Sequence, residues 1–249
     1  MNTQDLARLG QAFLDWLADW HAALPQPDLQ TVVRDPRRTA FLIVDVINAF
    51  CCIGPLASPR INGIVAPIAK LATAAHAAGV RHFISIQEDH HPEAVEFEAY
   101  PPHGIHGTEQ SAAAPELKAL PFWNEFVVMR KNSISASIGT GLDTWLDAHP
   151  EVDTCIVTGD CTDLCVYQLA MHLRLRANAF QQRGVRVIVP ADCVATFDTP
   201  VDVARQIGAL PHDGDLLHRV FLYHLALNRI EVVKRIVVSE VEQVAAASL

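Results

Sequence analysis

The chain has 249 residues, 50% hydrophobic and 19% charged, with a formal net charge of −9 and a mean hydropathy of +0.18. This balance excludes a disordered chain and a basic footprint for nucleic acid, and Asp45, Lys70 and Arg81 interrupt the best apolar runs before the ~18 residues of a membrane span. Asp5, Asp15 and Asp19 do not suit a secretory leader, and six cysteines, with Cys51 beside Cys52, do not read as a disulfide framework, so a reduced, cytoplasmic setting is expected.

Residues 4–24 place Leu6, Leu9, Phe13, Trp16, Leu17, Trp20 and Leu24 at steps of three and four. That spacing predicts an amphipathic helix, closed by Pro25 and Pro27. Its apolar stripe covers either its own domain or a partner subunit. The chain thus divides into a helix and linker over 1–30 and a domain over 31–249. Within the domain, 39–45 is a continuous apolar run ending in Asp45, as in a strand buried on both faces. An Ala-rich helix over 61–78 closes at Gly79, and strands follow at 80–86, 126–129, 154–158 and 185–189. Helical patterns lie near 139–148 and 164–182, and a helix near 214–227 leads to a strand at 230–233. Such alternation predicts an α/β fold, a doubly wound, Rossmann-like parallel sheet of about six strands with helices on both faces. Its chemistry belongs at the C-terminal strand ends. Residues 87–122 are rich in Pro, His and Glu with little periodicity, a functional or flexible loop.

Asp45 ends the first strand either as a turn cap or as an acid–base group. Lys131, after the third strand, reads by itself as a solvated loop residue. After the fourth strand the chain runs Gly159-Asp-Cys-Thr-Asp-Leu-Cys165, which puts Cys165 in the first turn of a helix. There the dipole and free N–H groups favour a thiolate and can stabilise an oxyanion. The other readings are a small core thiol, or half of a zinc site with Cys161, although no second Cys/His pair stands at ligand spacing. In the loop, Asp89-His-His-Pro92 and the stretch from Glu96 to Thr108 concentrate carboxylates and imidazoles. They suit a divalent metal with mixed N/O ligands or a solvated acidic surface.

Together, Asp45, Lys131 and the turn Cys161-Thr-Asp-Leu-Cys-Val166 resemble the isochorismatase-like cysteine hydrolases. The loop, with Pro101-Pro-His103 followed by Gly107-Thr108, resembles that of their nicotinamidase branch. The similarity runs from about residue 38 to 195, and more loosely to 235. It implies a catalytic triad of Asp45, Lys131 and Cys165, an oxyanion hole from the backbone N–H groups of Cys161 and Cys165, and a cis Asp160–Cys161 peptide. It implies metal ligands Asp89, His91 and His103 with Glu96 as a fourth, and ring-stacking residues Phe50 and Tyr100. One additional residue in the Asp–His region makes Glu88 with His90 a competing register. The chain departs from the family pattern at 46–50, which has two fewer polar side chains, and at Asp160, a charge where an apolar or small residue is common. The helix at 4–24 and the segment 212–218 lie outside the family's fold.

The activity implied is hydrolysis of the C–N bond of a small planar amide through a thioester. In that scheme Lys131 and the helix end lower the Cys165 pKa and Asp45 acts as general base. The implied cofactor is a divalent zinc, iron or manganese ion with no organic cofactor, and the implied assembly a homo-oligomer. Other readings are an isochorismatase-type or carbamoyl hydrolase of the same fold, or a metal-binding or thiol-redox protein using Cys161 and Cys165. A redox role needs neither Asp45 nor Lys131.

Overall fold

Seven parallel strands run through residues 3–239, the part of the chain described by a computed structural model. They are β1 (Thr39–Val44), β2 (His82–Glu88), β3 (Val127–Lys131), β4 (Thr154–Asp160), β5 (Arg186–Pro190), β6 (Val194–Ala195) and β7 (Glu231–Val233). The order across the sheet is β3-β2-β1-β4-β5-β7, and β6 extends the edge of β4. The helices are α1 (Thr3–Ala22), α2 (Leu29–Val32), α3 (Asn48–Cys51), α4 (Pro59–Ala77), α5 (Pro115–Lys118), α6 (Leu142–Ala148), α7 (Cys165–Ala179), α8 (Val201–Ile207) and α9 (Gly214–Leu227). Because alternate strand residues face opposite sides, β1 feeds two cores. Phe41 and Ile43 pack with α4, while Leu42 and Val44 pack with α7 and α9. The doubly wound α/β fold expected from the alternation is therefore the one formed, with one strand more, the two-residue β6, too short to leave a periodic signal.

β2 begins and ends two residues later than its apolar run suggests. The Arg81 guanidinium is occupied with the His76 and Val80 carbonyls at the end of α4. At the other end Gln87 and Glu88 stay in the sheet because they pair with Arg130 and Lys131 of β3. This shift decides which loop residues face the site.

α1 lies on its own chain: Phe13, Trp16 and Trp20 meet Tyr223 of α9 at ring distances of 5.4, 5.2 and 5.9 Å, and Leu17 is fully buried. Among the described residues no helix is long and apolar enough to cross a membrane.

Gly159 of β4 pairs with Val44 of β1; its φ is +117° and a Cβ there would stand 1.9 Å from the Val44 carbonyl oxygen. Gly159→Ala combines an overlap with a central strand, ~1–3 kcal/mol when a core is overpacked, with the penalty of positive φ for a residue bearing Cβ. At ~2–4 °C per kcal/mol for a chain of this size, thermal unfolding should show Tm lowered by roughly 5–15 °C. An unchanged Tm would mean that the strands part freely here.

Candidate active site

The chain leaves β1 through Asp45, which has φ +58°, a left-handed backbone that Asp adopts more readily than most residues. The Asp45 carbonyl accepts from the Ile47 N–H at 2.7 Å, its own N–H donates to the Ile86 carbonyl, and Oδ1 accepts from the Glu88 N–H at 2.8 Å. Oδ2 stands 2.8 Å from Lys131 Nζ. That ammonium, fully buried at the end of β3, also lies 2.7 Å from Glu88 Oε1, 3.0 Å from the Ser133 carbonyl and 3.5 Å from Cys165 Sγ. The three side chains of the implied triad thus come together, and Glu88, named from the sequence only as an alternative metal ligand, joins them as a fourth group.

One ammonium between two carboxylates fixes the protonation states. Burial pushes Lys131 down, but Asp45, Cys165 and Glu88 outweigh it and hold the ammonium well above its ordinary range. Burial raises Asp45 and Lys131 offsets part of this, leaving its carboxyl at about 6. Burial also pushes Glu88 up, yet Lys131, His103 and His90 hold it well below the usual carboxylate range. For Cys165, burial raises the thiol, Lys131 pulls it down, and Asp45 and Glu88 raise it again, with the net result well above normal. This corrects the expectation of a resting thiolate, because burial, reinforced by the two carboxylates, outweighs the ammonium. The S–H points to Glu88 Oε1 at 3.8 Å.

The turn before α7 holds the Asp160–Cys161 peptide cis. The Leu164 and Val166 N–H groups both donate to the Cys161 carbonyl, and the Thr162 N–H donates to Ala195. Cys165 then occupies the first helical turn, where N–H groups have no intrahelical acceptor. Asp160 beside it is fully buried, and burial with the nearby Asp45 and Glu88 charges keeps its carboxyl well above the ordinary range; its Oδ2 has no hydrogen-bond partner. All six cysteines are free thiols. Burial pushes Cys51, Cys155, Cys161 and Cys193 up as well, and the cysteine in hydrogen-bond reach of Lys131 Nζ is Cys165.

A second cluster adjoins the first. Ligand atoms of Glu88, His90, Glu96 and His103 lie within 4.8 Å of one another. Of the ligand set implied by resemblance, Glu96 and His103 belong to it, whereas Asp89 and His91 do not. The strand period turns Glu88 inward and Asp89 outward, and Asp89 pairs instead with the exposed His106 at 2.6 Å. His91 is exposed and its Nδ1 accepts from the Glu93 N–H. The competing register, Glu88 with His90, is the one brought together.

These residues fit a divalent cation. His103 Nδ1 donates to the Pro101 carbonyl at 2.8 Å. His90 Nδ1 donates at 3.1 Å to Asn132 Oδ1, an oxygen identified by the His91 N–H it also accepts. With both Nδ1 atoms protonated, the Nε2 lone pairs face Glu88 Oε2 at 2.8 and 3.2 Å, and His90 Nε2 is buried without a hydrogen-bond partner. Acceptors directed at acceptors require a proton or a cation between them. Two imidazoles oriented through their other nitrogen, with two carboxylates, are a ligand set for zinc, iron or manganese.

Aromatic rings wall this cluster. Phe50 and Tyr100 stand 5.4 and 6.4 Å from the His103 ring. Phe97, which no pattern singled out, stands 5.3 Å from His90 and 5.7 Å from His103. Asn132 was also missed. Its signal is its place immediately after Lys131, at a strand end of the predicted sheet.

The isochorismatase domain matches residues 39–207. Nicotinamidase 1 of Arabidopsis thaliana is 34% identical over 216 residues, covering 78% of this chain and 85% of its own. A solved cysteine hydrolase from Pseudomonas syringae pv. phaseolicola superposes with a TM-score of 0.64 at 25% identity, covering 86% of this chain and 95% of its own. A nicotinamidase from Bacillus subtilis gives 0.63 at 22% identity, with 79% and 99% covered. From the length of these matches, the chain belongs to the isochorismatase family.

Proposed function

We propose that this protein is a cysteine hydrolase that cleaves the C–N bond of a small aromatic carboxamide, nicotinamide-like, through a thioester. The observation that carries the reading is Lys131 Nζ, buried 2.8 Å from a carboxylate base and 3.5 Å from a thiol at a helix start. Asp45 takes the S–H proton as general base, and its carboxyl at about 6 lies near the range where such a group works best. Lys131 stays charged and holds both carboxylate and nascent thiolate. Sulfur bonds to the amide carbon, and the carbonyl oxygen takes its negative charge toward the Cys161 and Cys165 N–H groups. The C–N bond then breaks as Asp45 returns the proton to the leaving amine. Water, deprotonated by Asp45, opens the thioester to carboxylate and thiol. Glu88, His90, Glu96 and His103 would hold a zinc, iron or manganese ion, which would supply Lewis acidity when bound. Phe50, Phe97 and Tyr100 offer faces for that ring. Thiols that burial keeps protonated argue against a redox role for Cys161 and Cys165. Six free cysteines support a cytoplasmic setting, and Phe13 and Trp16, 42% and 45% exposed, support a homo-oligomer.

Incubation with nicotinamide and a panel of small amides should release ammonia, and added hydroxylamine should divert the thioester to a hydroxamate. Ammonia with no hydroxamate would remove the acyl-enzyme. Consumption of a vinyl ether such as isochorismate, with every amide inert, would overturn the amide reading.

A further inference from the structure

Beyond the triad, a third polar cluster sits behind the turn that carries Cys161 and Cys165. The chain leaves β6 through Thr196, Phe197 and Asp198, makes an excursion through α8, and returns at His212. Thr199 and His212 exchange backbone hydrogen bonds of 2.8 and 2.9 Å, closing the base of that excursion. Gly214 follows two residues later, and a Cβ there would stand 2.5 Å from the Phe197 carbonyl oxygen, so the base is tightly packed.

The His212 ring lies 3.8 Å from the Phe197 ring at 19°. Its Nδ1 is 3.0 Å from the Phe197 carbonyl oxygen and its Nε2 is 2.7 Å from Asp163 Oδ2. Asp163 Oδ1 accepts from the Thr196 hydroxyl at 2.5 Å. A carbonyl and an ionised carboxylate only accept, so both ring nitrogens must donate, and only the imidazolium has two N–H groups. Asp163 stands midway between Cys161 and Cys165 in sequence, and Thr162 is tied to the same strand end through Ala195.

We propose that His212, as the imidazolium, is a positioning residue that holds Asp163 and with it the Cys161–Cys165 turn in the geometry of an oxyanion hole. It lies beyond the residues that match the family domain, which end at 207. The inference rests on the hydrolase reading above. The charged groups around His212 are Asp163 from the turn and Asp198 from its own excursion. Next to them, Arg60 of α4 binds the Thr196 carbonyl and Asp215, and His218 of α9 bonds Thr162. Burial lowers the His212 pKa, but Asp163, the Phe197 carbonyl and Asp198 outweigh it and the net shift is upward. Asp163 is correspondingly held low by His212 and Thr196 against its burial. With the folded value raised, the latch is fully present below the unfolded pKa of ~6.5 and is lost as pH rises through the folded value.

Two measurements on the full chain test this. In the wild type, imidazole 15N shifts should show His212 protonated on both nitrogens at pH 6.5, titrating above that pH. In His212→Gln, which keeps an amide donor and loses the charge, kcat should fall about 10- to 100-fold with KM changed less than threefold, short of the ~10²–10³ lost with a hole donor itself. The alkaline limb that follows His212 should vanish from its kcat–pH profile. A neutral His212 at pH 6.5 overturns the proposal, as does a His212→Gln enzyme with wild-type kcat and an unchanged profile. Should the variant not fold, the 15N titration compared with the wild-type kcat–pH profile decides. An enzyme inert to all amides defeats the amide reading alone, because the 15N state is read without turnover.

Discussion

Cys165→Ala should bring turnover down to the assay floor, roughly 10⁵-fold or more, as losing the nucleophile of a triad does. The fold should survive. The change removes one sulfur atom from a site 5% exposed, and it relieves a buried thiol pressed between Asp45 and Glu88. Far-UV circular dichroism and Tm near wild type, with no hydroxamate formed, is the expected pattern. Alanine at Cys51, Cys155 or Cys193 should leave turnover in place. Because the resting Cys165 is held as the thiol, iodoacetamide at neutral pH should label the exposed Cys52 first, and Cys165 should gain reactivity as pH rises. Substantial turnover by Cys165→Ala would end the thioester mechanism.

Glu88→Gln against Asp89→Asn should separate the two ligand registers. Glu88 directs Oε2 at two histidines and Oε1 at Lys131, so the amide removes an anionic ligand and one of the two carboxylates paired with the ammonium. Metal affinity should fall by more than the ~10–100-fold typical of an outer-sphere change, and elemental analysis after dialysis should drop from near one divalent ion per chain to a small fraction. Turnover should fall at least ~10²-fold with it. Asp89→Asn alters the pairing with the exposed His106 and should change neither quantity more than about twofold. Loss of metal from Asp89→Asn but not Glu88→Gln would restore the other register. Full loading in both would return the loop to a solvated acidic surface.

Much of the frame was legible because it rests on local pattern. The apolar run of β1 needs burial on both faces, and Cys165 needs only the turn before it to reach a helix start. The ligand register was not legible. Glu88 and Asp89, and His90 and His91, are near equivalents in chemistry, and which of each pair faces inward depends on how far β2 stays paired with β3. That pairing involves Arg130 and Lys131, more than forty residues away. The protonation of Cys165 was not legible for a like reason: the helix start and Lys131 argue for thiolate, while the burial that decides against it, and the carboxylates of Asp45 and Glu88 that add to it, come from tertiary packing. Phe97 left no signal, and the segment from His212 stood out only as lying outside the family's fold, because neither residue sits at a strand end or in a period and only tertiary packing sets their places.

Asp45 shows why such a site is hard to transplant. Its φ of +58° means that the proton acceptor and the corner of the chain are one residue. Glutamate would keep the acid and, in that backbone, lose the local preference that short polar side chains have. Asparagine would keep the corner and lose the base. Aspartate alone meets both demands, so this position has little room to drift over evolutionary time. An engineer grafting the three side chains onto another sheet would have to carry over the bend after the strand as well, or the carboxylate would miss the ammonium it is meant to meet.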